Sequence, residues 1–291
     1  MRLLALLLIL LSVDTNAPGQ RRGLFFWTMP LQDIVAMVRH VPQDDGIRLA
    51  QLKQTFKDMQ CTGEEIREQA FNGGANLVCT LSGSSPDTIL FVAHYEHNGP
   101  GQSAVENWTG ATTLPFLYHA LAATPRKHTF VFLEVKGDAG AKSYLRSLSK
   151  ADLHALKAVI AVDALGLGAT RFYLRPIGFY TSSAESLLQN TLALAAQDKG
   201  LPPPQQEIPG SWLKIDDTKL FRFKGIPSIL IHSVDRDTRE IPGSEKDTLA
   251  ALNDDAYFAS YDMLCYYGAE LDDTQIGAPA DTTRAPSRGR R

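Results

Sequence analysis

Short apolar runs alternate with amphipathic segments along most of this chain. The runs 89–93 and 158–162 are apolar at every position, which is typical of central strands covered on both faces. Between such runs, segments such as 109–124 and 182–200 place apolar residues at helical spacing. Strand and helix in alternation predict an α/β fold with a mostly parallel central sheet sandwiched by helices.

The predicted elements fill one continuous stretch of the chain. No linker within residues 30–272 is long enough to separate two cores, so we predict a single domain there. The predicted strands are 76–83, 88–96, 128–135, 156–166 and 226–233, and the predicted helices are 31–41, 47–59, 109–124, 138–150, 182–200 and 254–271.

Both ends of the chain depart from this pattern. Residues 3–13 form an apolar segment that is too short to span a bilayer and has the length of a signal-peptide core. Residues 1–17 are therefore predicted to be a signal peptide or, because Pro18 makes a poor cleavage site, an N-terminal anchor. The protein is expected to be secreted or periplasmic, or anchored to a membrane through residues 3–13. Residues 273–291 have no apolar periodicity, end in basic residues and are predicted to be disordered.

Composition narrows the classes of function. The chain has 291 residues, 44% hydrophobic and 21% charged, which is typical of a globular protein. Its net charge of −3 and the lack of a basic stripe in its body give no electrostatic case for nucleic acid or an acidic membrane. Membrane contact is expected only through an uncleaved leader. The sequence does not predict an oligomeric state.

Three cysteines are present, and none lies in a metal-binding CxxC pair. An oxidising compartment would allow one disulfide. Cys61 and Cys79 flank a short segment between a predicted helix and a predicted strand, and they are the favoured pair. Two separate buried thiols are the alternative.

Polar side chains follow three of the predicted strands. His94 and Glu96 end the first, Glu134 lies near the end of the second, and Asp163 ends the third. In an open α/β sheet, ligands bind beyond the carboxyl ends of the strands. A set of histidine and carboxylates without cysteine suits zinc, or less specifically manganese or cobalt. A metal site at this edge is therefore predicted.

The surrounding motifs resemble those of the family-28 zinc metallopeptidases, of the leucyl aminopeptidase and aminopeptidase Y type, over residues 31–272. The family motif AHYDH is similar to residues 93–97, and GAxDNxSGA is similar to residues 104–111. The motif NLDxxG is similar to residues 161–166. A GIP strand and an HxxxDT loop follow, and the latter is similar to residues 243–248. The resemblance implies a zinc-exopeptidase fold, of the phosphorylase/hydrolase-like type.

In that family, two zinc ions share a bridging carboxylate and activate a water between them. By position in the motifs, His94 matches the histidine of one metal, Glu106 the bridging aspartate, and Asp163 a further carboxylate ligand. Glu96 stands where an aspartate orients the metal-binding histidine. The resemblance therefore implies ligands for one zinc ion.

Ligands for the second metal are missing. The family has a Glu-Glu pair, a general base followed by a metal ligand, where this chain reads Leu-Glu-Val-Lys-Gly. In one register both glutamates are deleted; in the other, Glu134 is the base and Val135 replaces the ligand. The last histidine of the family falls on Gly243. Glu106 is a methylene longer than the aspartate it replaces, which moves its carboxylate by ~1.5 Å.

Two hypotheses follow. The preferred one is an exported aminopeptidase-like protein with an incomplete two-metal site, non-catalytic or weakly active, that binds one zinc ion weakly or none. The alternative is a working mono-zinc aminopeptidase with Glu134 as its base. Peptide or protein N-termini are the partners to expect. Glutaminyl cyclase, which shares the fold, is disfavoured because its zinc uses ligands that this chain lacks.

Two further polar residues are interpreted as structural. Asp217 directly precedes a helix and is interpreted as its N-cap. His232 ends the last strand and is interpreted as an ordinary strand residue. Neither is included in the predicted site.

Overall fold

A mixed β-sheet runs through the centre of the molecule. The computed structural model describes residues 24–174, 182–208, 217–274 and 276. Within these residues the strands are β1 (Ile66–Phe71), β2 (Gly74–Leu81), β3 (Thr88–His94), β4 (Thr129–Val135), β5 (Leu156–Val162), β6 (Arg171–Tyr173), β7 (Gln205–Gln206) and β8 (Ser228–His232).

Four parallel strands form the middle of this sheet. They are β4, β3, β5 and β8, in that order, so their carboxyl ends share one edge. An antiparallel hairpin of β1 and β2 extends the sheet beyond β4, and β6 and β7 extend it beyond β8. The parallel centre confirms the fold predicted from the apolar runs.

Helices cover both faces of the sheet, as predicted. The helices are α1 (Leu31–Val38), α2 (Asp45–Asp58), α3 (Trp108–Ala122), α4 (Gly137–Ser147), α5 (Lys150–Ala155), α6 (Ser183–Asp198), α7 (Asp217–Arg222) and α8 (Asp254–Asp273). The larger of two hydrophobic clusters joins one face to α1, α2, α3, α6 and α8, and the smaller joins the other face to α4, α5 and α7.

The sequence analysis missed the peripheral elements β1, β6, β7 and α5. β1 has no fully buried residue, and three of its six residues are solvent-exposed. Edge strands of this kind carry no apolar run, because only half of one face packs on the core. β6 and β7 have three and two residues, too few for a periodic pattern.

The position of α3 brings its preceding loop onto the sheet edge. Almost every residue of α3 is buried. Its Gly110 lies so close to the end of β5 that a Cβ there would come within 2.2 Å of the carbonyl oxygen of Val162. Only glycine permits this approach, which sets Glu106 beside the end of β5.

A disulfide joins Cys61 and Cys79, which confirms the favoured pair, and Cys265 is a buried free thiol. The disulfide links the loop after α2 to β2. The predicted leader (1–17) and nearly all of the predicted tail (273–291) lie outside the described residues. Within the described residues, no helix is long and apolar enough to cross a membrane.

Candidate metal centre

The predicted metal ligands meet at the carboxyl edge of the parallel strands. His94 ends β3, and Asp163 directly follows the neighbouring strand β5. Glu106 comes from the loop before α3. The charges of His94 and Asp163 both act on the Glu106 carboxyl group. Glu134 is not part of this group, as described below.

Two carboxylates hold the ring of His94. Its Nδ1 lies 3.1 Å from Oε1 of Glu96, and its Nε2 lies 2.7 Å from Oδ2 of Asp217. Because an ionised carboxylate can only accept hydrogen bonds, each ring nitrogen must donate a proton. Without a metal ion, this arrangement favours the imidazolium form of His94.

Electrostatics agree with this geometry. Burial opposes the charge on His94, but Asp217 and Glu96 outweigh it and hold the pKa of His94 well above its ordinary value. Burial would raise the pKa of Glu96, but His94 outweighs that effect and the pKa of Glu96 is lowered. The amide of Gly137, at the start of α4, also donates to Oε2 of Glu96 over 2.8 Å. His94 and its two partners thus form a buried cation between two anions.

The remaining carboxylates at this edge are crowded. Burial, followed by repulsion from Asp163 and Asp247, raises the pKa of Glu106 to about 9. Burial also raises the pKa of Asp163 to about 7, although His94 opposes the shift. In this arrangement Glu106 keeps its proton at neutral pH. A protonated carboxyl group is a poor bridging ligand for metals.

Asp247 ties together the two loops that frame the site. It is fully buried, and its Oδ1 accepts a hydrogen bond from the amide of Val105 over 2.7 Å. Its Oδ2 accepts from the amides of Glu106 at 3.2 Å and Gly243 at 2.9 Å. With both oxygens engaged by backbone amides, Asp247 holds Glu106 and Gly243 side by side.

Gly243 leaves room that Glu106 fills. Its φ of +67° lies in the left-handed region that favours glycine. A Cβ at this position would lie 2.6 Å from Oε2 of Glu106, closer than real Cβ contacts. A side chain at 243, the position that the family motif gives to a histidine, would therefore need the Glu106 carboxyl group to move.

Glu134 lies on the opposite face of the sheet from His94. It pairs with Ala93 on β3, whereas Val135 pairs with His94. Its side chain enters the larger hydrophobic cluster alongside Phe132. It is fully buried, and among the described residues neither of its oxygens has a hydrogen-bond partner. Burial raises its pKa well above the ordinary value. This placement does not support the predicted base role.

Arg48, on α2, holds the loop between β3 and α3 through hydrogen bonds. It is fully buried, and its guanidinium donates to the carbonyl oxygens of Pro42 at 2.7 Å, Gln102 at 2.8 Å and Tyr95 at 3.2 Å. It also lies 5.1 Å from the ring centroid of Trp108. One α2 side chain thus fixes the backbone that carries Glu96 and Glu106.

The residues do not fit a bound zinc ion in this arrangement. Among the described residues, no group of three or more His, Cys, Asp or Glu side chains is placed to hold a metal. Both ring nitrogens of His94 face carboxylates at hydrogen-bond distance, so neither points to an open ligand position among the described residues. The roles of His94, Glu106 and Asp163 as metal ligands, and of Glu96 as the residue that orients His94, stay predictions.

Sequence reasoning missed the roles of three residues at this edge: Asp217, Asp247 and Arg48. Asp217 was interpreted as an N-cap, but it is the first residue of α7 and its carboxylate binds His94, 123 positions away in sequence. Asp247 matches the aspartate of the HxxxDT motif, and this match is the sequence signal that could have identified its role. The sequence gives no such signal for Arg48, because an arginine on an amphipathic helix is usually solvated.

The family follows from a comparison with known proteins. Residues 76–268, more than half of the chain, match the model for peptidase family M28. The chain belongs to peptidase family M28. No curated protein sequence matches it.

Solved structures share the fold of this M28 chain. BSAP, a zinc aminopeptidase from Bacillus subtilis, has a TM-score of 0.58 and 18% identity over 68% of this chain and 50% of its own. The LapA aminopeptidase of Legionella pneumophila has a TM-score of 0.67 and 16% identity, covering 84% of this chain and 71% of its own. A glutaminyl cyclase from Macrostomum lignano has a TM-score of 0.67 and 17% identity, with 84% and 89% covered. This chain spans about half the length of BSAP.

A double-mutant cycle tests the contact between positions 106 and 243. We expect Gly243→Ala to cost about 2–4 kcal/mol of unfolding free energy, from left-handed backbone strain plus the clash with Glu106. In a Glu106→Asp background the shorter side chain removes the clash, so the same substitution should cost only about 1–2 kcal/mol. Urea unfolding of the four proteins measures both values.

Gly200→Ala is the matched control. Gly200 has a φ of +69° and no atom within 4 Å of its hypothetical Cβ, so its substitution measures backbone strain alone. Its cost should be the same in the wild-type and Glu106→Asp backgrounds. An equal cost of Gly243→Ala in both backgrounds would show that Glu106 does not occupy this space.

Proposed function

We propose that this chain is an aminopeptidase-like member of family M28 that has little or no peptidase activity and acts as a binding or scaffold module. The observation that carries the proposal is the contact of 2.7 Å between Nε2 of His94 and Asp217. In this geometry a proton on His94 neutralises the surrounding carboxylates. A zinc ion would have to displace that proton and break this hydrogen bond.

The position of Glu134 supports the same proposal. A general base must come within hydrogen-bond reach of the attacking water. Glu134 is the residue that the alternative, a mono-zinc aminopeptidase, requires. Its full burial on the opposite face of the sheet from His94 weighs against that alternative.

A glutaminyl cyclase function gains little from the likeness in fold. Its zinc set, as the family resemblance implies it, needs a carboxylate at the position of Val135 and a histidine at Gly243. Neither residue can coordinate a metal. The likeness in fold is the same for LapA and for this glutaminyl cyclase, so the proposal stays with the aminopeptidase-like class on the chemistry of these two positions.

The acidic character of the edge suggests what is bound. Glu106 and Asp163 lie next to one another at the carboxyl ends of the strands, with Asp247 behind them. A peptide N-terminus carries an ammonium group, which would stabilise the ionised forms of these carboxyl groups and lower their pKa values. Peptide or protein N-termini are therefore the proposed ligands.

Export to an oxidising compartment is part of the proposal. The signal-peptide-like segment at residues 3–13 supports it. The disulfide between Cys61 and Cys79 supports it as well, because cytosolic proteins rarely keep structural disulfides.

Metal content and turnover of the purified full chain test this function. After loading with zinc and removal of the excess, we expect less than one zinc ion per chain and no hydrolysis of aminoacyl-arylamides, because both ring nitrogens of His94 face carboxylates. An active member of the family, treated in parallel, is the control. Two zinc ions per chain together with hydrolysis near that of the control would contradict the proposal.

A second prediction concerns Glu134. Its pKa is raised in the folded protein, so the folded state holds this proton more tightly than the unfolded state. The stability contributed by Glu134 is therefore complete below its unfolded pKa of about 4.5 and is lost as pH rises towards its folded pKa. Glu134→Gln cannot lose a proton and should be more stable than the wild type at mildly alkaline pH.

Urea unfolding across a series of pH values measures this difference. The stability gained by Glu134→Gln should grow with pH by up to about 1.4 kcal/mol per unit and vanish in mild acid. Glu64→Gln, at an exposed position, should show no such trend. A Glu134→Gln variant that is less stable than the wild type at alkaline pH would mean that the Glu134 carboxylate is charged and paired.

A further inference from the structure

A groove opens on the sheet face that carries α4 and α5, near the amino ends of the parallel strands. Its volume is about 380 Å³, which lies within the range of small-molecule binding sites. The lining residues include Thr88, which begins β3, and Leu156, which begins β5. The candidate metal centre lies at the carboxyl ends of the same strands. The groove, which we call the α4–α5 groove, is therefore a separate site.

The floor of the α4–α5 groove is apolar. Val78 on β2 and Val131 on β4 form it, and Leu148, directly after α4, lines one side. Val131 is 8% exposed, whereas its neighbours Phe130 and Phe132, which pack in the cluster on the other face, are fully buried. The helices therefore leave part of β4 uncovered. An apolar group of a ligand that covered this floor would be stabilised by the hydrophobic effect.

Hydrogen bonds fix the walls of the groove relative to each other. Gln69 on β1 donates to Oγ of Ser147 on α4 over 2.6 Å. Asn76 on β2 donates to the carbonyl oxygen of Gly140 on α4 over 2.9 Å. Gly140 permits this approach, because a Cβ there would come within 2.4 Å of Oδ1 of Asn76. The groove is therefore formed without a ligand.

Arg67 on β1 supplies a positive charge to the groove. It pairs across the hairpin with Val78, so both side chains lie on the groove face of the sheet. Arg67 is exposed, and within the described residues it forms no ion pair. A guanidinium group without a carboxylate partner can bind the carboxylate of a ligand through two parallel hydrogen bonds.

The hydroxyl group of Tyr144 lies close to this cation. Tyr144 on α4 is only 5% exposed, yet it lines the groove, and the charges of Arg67 and Asp152 both act on its hydroxyl group. Among the described residues this hydroxyl group has no hydrogen-bond partner. Burial raises the pKa of Tyr144 to about 12, so the hydroxyl group keeps its proton at neutral pH. A buried donor without a partner, near an unpaired cation, is suited to a carboxylate oxygen.

Asp152 on α5 supplies a negative charge to the same groove. Hydrogen bonds from the side chain and amide of Ser149 lower the pKa of Asp152, so its carboxylate is ionised at neutral pH. Asp152 forms no ion pair with Arg67 in the described part of the chain, although both charges act on Tyr144. The groove thus holds two opposite charges near one hydroxyl group, too far apart to pair with each other.

We propose that the α4–α5 groove binds a free amino acid with an apolar side chain. The ligand carboxylate pairs with Arg67 and accepts a hydrogen bond from Tyr144, and the ligand ammonium group pairs with Asp152. Its side chain covers the apolar floor. An amino acid carries both charges beside one apolar group, which matches the charges of the groove in opposite sign. The site uses no residue of the candidate metal centre, so it does not depend on the proposed function.

Calorimetric titration of the full chain with L-leucine tests this proposal. We expect one leucine to bind per chain. Leucinamide lacks the carboxylate and should bind at least about tenfold more weakly. Glycine lacks the apolar side chain and should also bind at least about tenfold more weakly. N-acetyl-leucine lacks the ammonium group and should bind about threefold more weakly, a smaller loss because Asp152 is exposed.

Substitutions in the groove test the residues assigned to the carboxylate. Arg67→Gln should weaken leucine binding at least about tenfold. Tyr144→Phe keeps the ring but removes the hydroxyl group, and it should weaken binding about threefold to tenfold. Arg146→Gln is the matched control: it removes a cation from an exposed position of α4 that does not line the groove, and it should bind leucine within about twofold of the wild type.

Methyl NMR of the wild type locates the bound leucine. Leucine should shift the methyl signals of Val78 and Val131 on the floor of the groove. It should leave unchanged the signals of Val105, which precedes Glu106 in the candidate metal centre. This measurement needs no substitution, so it keeps the test valid even if a variant fails to fold.

Three results would overturn the proposal. The first is no saturable binding of leucine by the wild type up to about 10 mM. The second is binding of leucinamide as tight as that of leucine, or leucine binding that Arg67→Gln leaves unchanged, since either would mean that Arg67 does not bind a carboxylate. The third is a shift of the Val105 signals without a shift at Val131, which would assign leucine to the acidic edge instead.

Discussion

Several carboxyl groups meet at the carboxyl edge of the parallel strands, and a buried set of this kind requires a positive charge. Glu96 and Asp217 contact His94, which is 8% exposed, and Asp163 lies close enough for the charge of His94 to act on it. In the zinc peptidases that this chain resembles, metal ions carry that charge. Here the geometry assigns it to the ring of His94, which is held by two of the carboxylates. A zinc ion and the imidazolium proton compete for the same nitrogen.

The other departures from the family motifs form a consistent set around this cation. Gly243 has no side chain, and the longer side chain of Glu106 extends into the space beside it. Asp247 fixes both residues through backbone amides. The Glu106 side chain therefore fills the space beside Gly243 on one side of the site. On the other side, the proton on His94 balances the charge of the carboxylates. These contacts hold the edge together through packing and hydrogen bonds, which supports the proposal that the chain has little or no peptidase activity.

The centre of the fold could be predicted from sequence, and the edges could not. Runs such as Ile89–Ala93 are apolar throughout because both faces of a central strand are covered, so they identify the parallel strands. β1 lacks such a run because it lies at the edge. The motifs also identified the segments that bring His94, Glu106 and Asp163 to one place. The apolar runs and the motifs are both features of local sequence.

The features that the sequence did not predict depend on the direction of side chains and on contacts between residues far apart in sequence. A strand that is apolar on both faces gives no sign of which way a residue points, so the face of Glu134 could not be assigned from β4 alone. The contact of Asp217 with His94 joins β3 to α7 across 123 positions, and its local context resembles an ordinary helix start. Propensity and periodicity carry no information about such a pair.

The protonation state of His94 is the most direct test that its ring carries the positive charge at this edge. Nitrogen-15 NMR of the full chain near neutral pH, with the His94 signals identified from a His94→Gln variant, reports the state of both ring nitrogens. The account predicts that both carry protons and that excess zinc leaves them unchanged. A His94 ring with one bare nitrogen, or loss of the Nε2 proton when zinc is added, would contradict it.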